Sequence, residues 1–142
     1  VKLWNIRHRL GLVADAYTGE LREENFDLLA AILEKARDKA ASWGGTLVFV
    51  YTPSPQRYVV ERGQVEHDNK VHAEVMKRVK RLVMPIVDLR EALEASPDPT
   101  RYFLKIPFPS QKDKPIPVGH FNEEGHALAA RTVVEALEGL SK

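Results

Sequence analysis

The feature that most constrains the fold is an unbroken apolar run set between glycines and prolines. Residues Thr46 to Tyr51 (TLVFVY) follow Gly44-Gly45 and precede Thr52-Pro53-Ser54-Pro55. A continuously apolar run, rather than an alternating one, is typical of a strand covered on both faces, as in a parallel sheet. Parallel strands need covering crossover segments, so this run predicts an α/β fold.

Helix-length segments flank this strand. Residues 20–43 carry an apolar stripe at helical spacing, with acidic residues early and basic residues late, an order that complements the helix dipole. Asp88 and Glu91 have the spacing of a capping box. The predicted elements are a short helix ending near Gly11, a helix at 20–43, a strand at 46–51, a polar loop at 56–67, a helix at 68–83, a strand at 84–88, a helix from Asp88 through Ala95, an irregular segment at 97–118, and a helix from the N-cap Asn122 to about Leu140.

Strands alternating with helices predict βαβ units in a doubly wound, three-layer fold of the flavodoxin-like type with a parallel sheet. Only two strands are predicted, and a two-stranded parallel sheet leaves both of its edges open. The 142 residues are therefore predicted to form either a single α/β domain over 1–142 or the C-terminal half of a larger one. Open edges also predict association with a missing N-terminal half, a second chain or another copy of this chain.

Composition excludes several classes of protein. The absence of cysteine excludes a disulfide scaffold, a thiolate metal site and a cysteine nucleophile. Lys and Arg total 21 against 20 Asp and Glu, a net charge of +1 that argues against a nucleic-acid partner. No apolar run approaches the ~20 residues that span a bilayer. The basic run from Lys77 to Arg81 interleaves with apolar residues at helical spacing, so it is interpreted as a solvated helix face.

Three points of the chain are predicted to meet at the carboxyl ends of the strands, where open α/β sheets bind ligands. They are the loop with Thr52 and Ser54, the strand end at Asp88, and the turn before the last helix. In that turn His120 lies two residues before the N-cap Asn122, which predicts an imidazole held rigidly at a cleft. Histidine can take a proton from a hydroxyl and return it to a leaving group near neutral pH. The alternative is that His120 only hydrogen-bonds its loop.

Histidine spacing argues against a metal. The pairs His120/His126 and His67/His72 are separated by i+6 and i+5 and do not match the zinc spacing His-Glu-x-x-His. We therefore expect no metal and no cofactor. Gly125 is expected to let the first turn of the last helix lie close to a neighbouring backbone.

The segment His120-Phe121-Asn122-Glu123-Glu124-Gly125-His126, followed by an alanine-rich helix, resembles the last conserved block of the SGNH (GDSL-like) hydrolases. Leu47 to Ser54 looks like the family's late central strand and the loop after it. Ile86 to Leu89 looks like its last short strand, and Leu3 to Leu10 resembles a segment that many members carry in mid-chain. The resemblance implies a serine esterase or acyl-transfer enzyme in which His120 matches the catalytic histidine.

The chain departs from the family's pattern in two ways. It contains no Gly-Asp-Ser block, so the resemblance implies that the nucleophile and the oxyanion-hole residues belong upstream. The family's acid lies two or three residues before its histidine, where this chain has Val118 and Pro117. Asp88 or Asp113 could replace that acid, a backbone carbonyl could orient the imidazole, or the site has lost its activity.

A complete triad within this chain is a further alternative. Ser54, Asp88 and His120 follow the order Ser…Asp…His of α/β-hydrolases. Ser54 lies in Thr-Pro-Ser-Pro rather than in a Gly-x-Ser-x-Gly elbow, so it is interpreted as a loop residue, and Asp88 as a helix cap.

The predicted function is the C-terminal portion of an SGNH-type hydrolase that supplies its catalytic histidine. The substrate would be an acyl ester, with an O-acetylated carbohydrate and acyl transfer as candidates, in a pocket lined by Thr52, Ser54 and Asn122. The rival is a non-catalytic binding module of the same fold that has lost its catalytic acid. The absence of cysteine is compatible with cytoplasm or export, and the resemblance favours an exported or periplasmic location.

Overall fold

The computed structural model describes residues 22–59, 62–108 and 111–140, with the backbone alone at 62–64, 107–108 and 111–116. The predicted helix ending near Gly11, the family-like segment from Leu3 to Leu10 and the side chain of Asp113 lie outside this description. The described elements are α1 (Glu23–Ala41), β1 (Phe49–Tyr51), a 3-10 turn (Pro55–Tyr58), α2 (Arg62–Arg81), β2 (Ile86–Asp88), α3 (Leu89–Glu94), a second 3-10 turn (Pro99–Tyr102), β3 (Phe103–Phe108), β4 (Gln111–Phe121) and α4 (Glu123–Leu140).

Strands β1 and β2 form a parallel pair connected through α2. Phe49 lies opposite Ile86, and Tyr51 lies opposite Asp88, so both strands end at the same edge. The predicted alternation of strand and helix is confirmed, and the described chain mixes helices and strands as an α/β chain does. Both strands are shorter than predicted, because no other described strand continues the pairing over residues 46–48 or 84–85.

The core lies between α1, α2 and this parallel pair. Val75 and Val79, one helical turn apart on α2, pack with Phe26 of α1 and with Leu82 and Met84, which follow α2. Val79 is fully buried, at 0% exposure. The apolar stripes that predicted the two helices therefore face each other.

One basic residue contradicts the predicted solvated face of α2. Arg78 is buried, and its guanidinium binds Glu74 on its own helix and reaches Glu23 and Asp27 on α1. It also lies over the Phe26 ring, 5.1 Å from the ring centroid. The two carboxylates on α1 lie more than fifty residues away in the chain, so the guanidinium fastens α1 to α2.

The predicted irregular segment at 97–118 is wrong, because an antiparallel hairpin occupies most of it. Phe103 lies opposite Phe121 and Lys105 opposite Pro117, with irregularities in the register. The density of proline indicated a loop. In a two-stranded ribbon, however, each strand is an edge, and proline is tolerated where its missing N–H would point away from the partner strand. The described chain therefore holds two separate two-stranded sheets, not one parallel sheet.

The predicted polar loop at 56–67 is also wrong. The 3-10 turn covers Pro55–Tyr58, and α2 begins at Arg62 rather than at residue 68. Arginine, glutamine and glutamate are good helix formers, so a polar start to a helix carries no apolar stripe by which to identify it. No helix within the described residues has the length and apolarity needed to cross a bilayer.

Candidate functional site

A cavity of about 200 Å³ lies where β1 ends, and we call it the strand-end cavity. Open α/β sheets bind ligands at this edge because the loops that follow the strands diverge there. The loop after β1 supplies part of its wall, and α2 and the start of α3 supply the rest. Its lining residues are Tyr51, Thr52, Pro53, Ser54, Arg57, Asp68, Val71 and Arg90.

A histidine–carboxylate pair lies beside Tyr51. The Oδ2 atom of Asp88 is 2.6 Å from Nε2 of His72, and both side chains are mostly buried. The other carboxylate oxygen, Oδ1, accepts a hydrogen bond of 3.0 Å from the backbone N–H of Arg90, which confirms Asp88 as the cap of α3. The rings of Tyr51 and His72 meet in a T-shaped arrangement, with 4.7 Å between their centroids. Asp88 thus joins the strand end to α2 and α3.

Burial and two nearby carboxylates raise the pKa of the Tyr51 phenol at the cavity wall. Burial raises the pKa of Tyr51, and the charges of Asp68 and Asp88 raise that pKa further. The phenol therefore stays protonated at neutral pH and remains a hydrogen-bond donor. Asp68 is unusual in another respect: its Oδ2 atom is buried and has no hydrogen-bond partner among the described residues.

Two guanidinium groups share one carboxylate behind the cavity. Oε1 of Glu94 accepts hydrogen bonds from Nε of Arg57 at 2.7 Å and from Nε of Arg90 at 3.0 Å. Burial opposes the ionisation of Glu94, but these two hydrogen bonds outweigh it and hold the pKa of Glu94 below its ordinary value. Arg57 also donates from Nη1 to Asn69 at 2.8 Å. Both arginines are thereby fixed in place at the cavity wall.

The turn before the last helix has its own built geometry. His120 is exposed and is the next-to-last residue of β4. Asn122 accepts a hydrogen bond of 3.0 Å from the backbone N–H of Gly125, which confirms the predicted cap of α4. Its amide nitrogen donates to the carbonyl of Arg101 at 2.6 Å, and its backbone N–H donates to the carbonyl of Tyr102 at 3.0 Å. The turn that follows His120 is therefore fixed against the preceding 3-10 turn.

Gly125 brings this helix close to a neighbouring backbone, as predicted. A Cβ atom at residue 125 would collide with the carbonyl oxygen of Tyr102 and come within 2.9 Å of the Phe121 ring. The Phe121 ring also packs on the ring of Phe103, with 5.1 Å between centroids. The β4–α4 junction is thus closely packed around a position where only glycine fits.

The structure brings together only some of the predicted site residues. Thr52 and Ser54 line the strand-end cavity, whereas His120 and Asn122 are not among its lining residues. Asp88, a candidate orienting acid, is bonded to His72 and to an α3 amide, and no described contact joins it to His120.

Ser54 is not bonded to a histidine. Its hydroxyl donates to Oε1 of Gln56 at 2.6 Å. The sequence reasoning missed Arg57 and Asp68, and it considered His72 only as a metal ligand. Arg57 and Asp68 fall in or beside the presumed loop, and the one usable signal was that Asp68 and His72 are four residues apart, on one face of a helix.

Among the side chains that the structure describes, no group of three or more His, Asp or Glu is arranged to hold a metal ion. Comparison of the chain with protein-family models, with curated proteins and with solved structures found no match. Function is therefore inferred from the chain's own residues.

Proposed function

We propose that this chain is the C-terminal portion of an SGNH-type serine hydrolase and that His120 is its general base and general acid. The observation that carries the proposal is the presentation of His120. The imidazole is exposed and precedes a turn that is capped by Asn122 and packed tightly at Gly125. A proton-transfer group needs this combination of access and fixed position.

In the proposed reaction, a serine from an upstream segment attacks the carbonyl carbon of an ester. His120 accepts the hydroxyl proton as the bond between serine and carbonyl forms, and it donates that proton to the departing alcohol oxygen. A water molecule, or a second alcohol in acyl transfer, then attacks the acyl-serine with the same proton transfers. Both oxygens of Asp88 are engaged elsewhere, so Asp113 or a backbone carbonyl would orient the imidazole.

The doubly wound, flavodoxin-like sheet belongs to the same proposal. In it, β1 and β2 are the last strands of a larger parallel sheet whose earlier strands come from the upstream half. The exposure of Val50 supports this, because an apolar residue in the middle of β1 is 40% exposed. Residues of a complete parallel sheet are normally covered on both faces.

The test uses the complete gene product that contains residues 1–142 and, in parallel, the 142-residue chain alone. We expect the complete product to cleave p-nitrophenyl acetate and the chain alone to be inactive. His120→Gln should lower the rate of the complete product by about 10²–10⁴-fold, the range for loss of a general acid–base group. His126→Gln, another exposed histidine six residues further along, is the matched control and should retain the rate.

Two results would refute the proposal. One is a gene product without a Gly-Asp-Ser segment upstream of residue 1. The other is a rate that survives His120→Gln unchanged. Ser54→Ala should also leave the rate unaltered, and its failure to do so would favour a triad built within this chain.

A second candidate is a non-catalytic binding module of the same fold. It is favoured by the pairing of Asp88 with His72, since this removes one of the two candidate acids from the neighbourhood of His120. A complete gene product that binds an ester without cleaving it would support this candidate.

A further inference from the structure

The strand-end cavity is surrounded by charged groups of both signs. Its wall carries the guanidinium groups of Arg57 and Arg90, the carboxylate of Asp68, and behind them the carboxylate of Glu94. The carboxylate of Asp88, which acts on the cavity-wall residue Tyr51, is a further negative charge nearby. An anion would be brought beside Asp68 and a cation beside two guanidinium groups, so an uncharged ligand is favoured over either.

The cavity also presents hydrogen-bonding groups of both kinds. The buried Oδ2 atom of Asp68 is an acceptor with no partner among the described residues. A buried acceptor in this state costs stability, and the Asp68 carboxylate, which lines the cavity, offers its acceptor capacity to a ligand hydroxyl there. Arg90 uses Nε for Glu94, and no described hydrogen bond occupies its terminal nitrogens, which are donors. A hydroxyl group suits both sides, because it can donate to a carboxylate and accept from a guanidinium.

The size of the cavity restricts the ligand further. A volume of about 200 Å³ lies below the ~300–1,000 Å³ usual for drug-sized ligands. The cavity is therefore suited to a single small ring or a short chain. Tyr51 and Val71 add apolar wall, which suits the carbon skeleton of such a molecule.

We propose that the strand-end cavity binds a small uncharged polyol, the size of one sugar ring, with Asp68 as acceptor and Arg90 as donor. This site is separate from His120 and does not depend on ester hydrolysis. The proposal therefore goes beyond the hydrolase function and can fail without it.

The experiment is a titration of the 142-residue chain, followed by two-dimensional ¹H–¹⁵N NMR, with myo-inositol and glucose as probes. We expect at least one of the two to move the amide signals of Thr52, Ser54, Asp68 and Arg90 in a saturable way. Inorganic phosphate, as the charged probe, should leave these signals in place. Because the wild-type chain is mapped directly, this result does not depend on whether any variant folds.

Asp68→Leu tests the role of the unpartnered carboxylate. It should weaken polyol binding by about tenfold or more, the usual effect of losing a hydrogen bond to a charged group. The melting temperature should be unchanged or higher, since an orphan buried oxygen is removed. The matched control Asp38→Leu replaces an exposed aspartate of α1 whose carboxylate binds Arg37, and it should leave binding unaltered.

Three outcomes would overturn the proposal. They are no saturable shift with either polyol, a stronger shift of the same amides with phosphate, and full affinity in Asp68→Leu. A lowered melting temperature of Asp68→Leu together with unaltered binding would mark Asp68 as a purely structural residue.

Discussion

Gly125→Ala best tests the junction between β4 and α4, because the junction determines whether this substitution stabilises or destabilises the chain. In an ordinary helix the change stabilises, because alanine is favoured over glycine by ~1 kcal/mol. Here the new methyl group would meet the carbonyl oxygen of Tyr102 and the ring of Phe121. The backbone of a fixed turn cannot rotate out of the way as a flexible side chain can. We therefore expect Gly125→Ala to destabilise the chain, although glycine-to-alanine changes usually stabilise a helix.

The magnitude follows from two opposing terms. Overpacking a closely packed site costs roughly 1–3 kcal/mol, and a backbone obstacle belongs at the upper end of that range. Subtracting the gain of ~1 kcal/mol in helix propensity leaves a net destabilisation of about 1–2 kcal/mol. Because Asn122 ties the same turn to Arg101 and Tyr102, the strain would also reach the position of His120.

Gly139→Ala in the same helix is the matched control. A Cβ atom there would meet nothing within 4 Å, so this variant should be stabilised by up to about 1 kcal/mol. Urea denaturation followed by circular dichroism gives both free energies of unfolding. If Gly125→Ala and Gly139→Ala stabilise the chain equally, the close approach of α4 to the Tyr102 carbonyl is wrong.

The remaining predictions concern two titratable groups near the cavity. The Tyr58 hydroxyl is buried without a partner among the described residues, and burial raises its pKa to about 12. Tyr58→Phe should therefore stabilise the chain by about 1 kcal/mol at neutral pH. An unfolded tyrosine ionises near pH ~10, so the wild type should lose stability from that pH upward, and Tyr58→Phe should lose less. If Tyr58→Phe loses as much stability as the wild type above that pH, the burial of this phenol is contradicted. The pKa of Glu94 is lowered, so its contribution is fully present above the unfolded value of ~4.3 and is lost as pH falls below it. Glu94→Gln should accordingly be less stable than the wild type at neutral pH, and denaturant titrations should show the difference shrinking in acid. An equal difference at both pH values would refute the salt bridges to Arg57 and Arg90.

Local patterns predicted the helices well because the determinants of a helix lie within a few residues of each other. The apolar stripe at 20–43 gave α1, and the side chains of Asp88 and Asn122 cap helices as their positions in the sequence indicated. The hairpin was missed because proline is read locally as a loop signal. Whether a strand tolerates proline depends on where its partner strand lies. Local sequence does not contain that information.

The candidate site was predicted only where a topological rule applied. Thr52 and Ser54 were expected at the carboxyl end of a strand, and they line the cavity there. Two of the three carboxylate partners of Arg78 lie on α1, and the partner of His72 is 16 residues away on another element. Hydrophobic periodicity indicates which face of a helix is apolar. It does not indicate which charged side chain pairs with a carboxylate that is distant in the sequence.

Asp88 uses one carboxylate oxygen for His72 and the other to cap α3, and this double role restricts which residues can replace it. Serine or asparagine could still begin α3, but neither would offer a charged oxygen to His72. Glutamate could offer the charge, yet its longer side chain is a poor helix cap. We therefore expect residues 72 and 88 to covary among related sequences. Where the histidine is absent, a neutral capping residue should replace the aspartate.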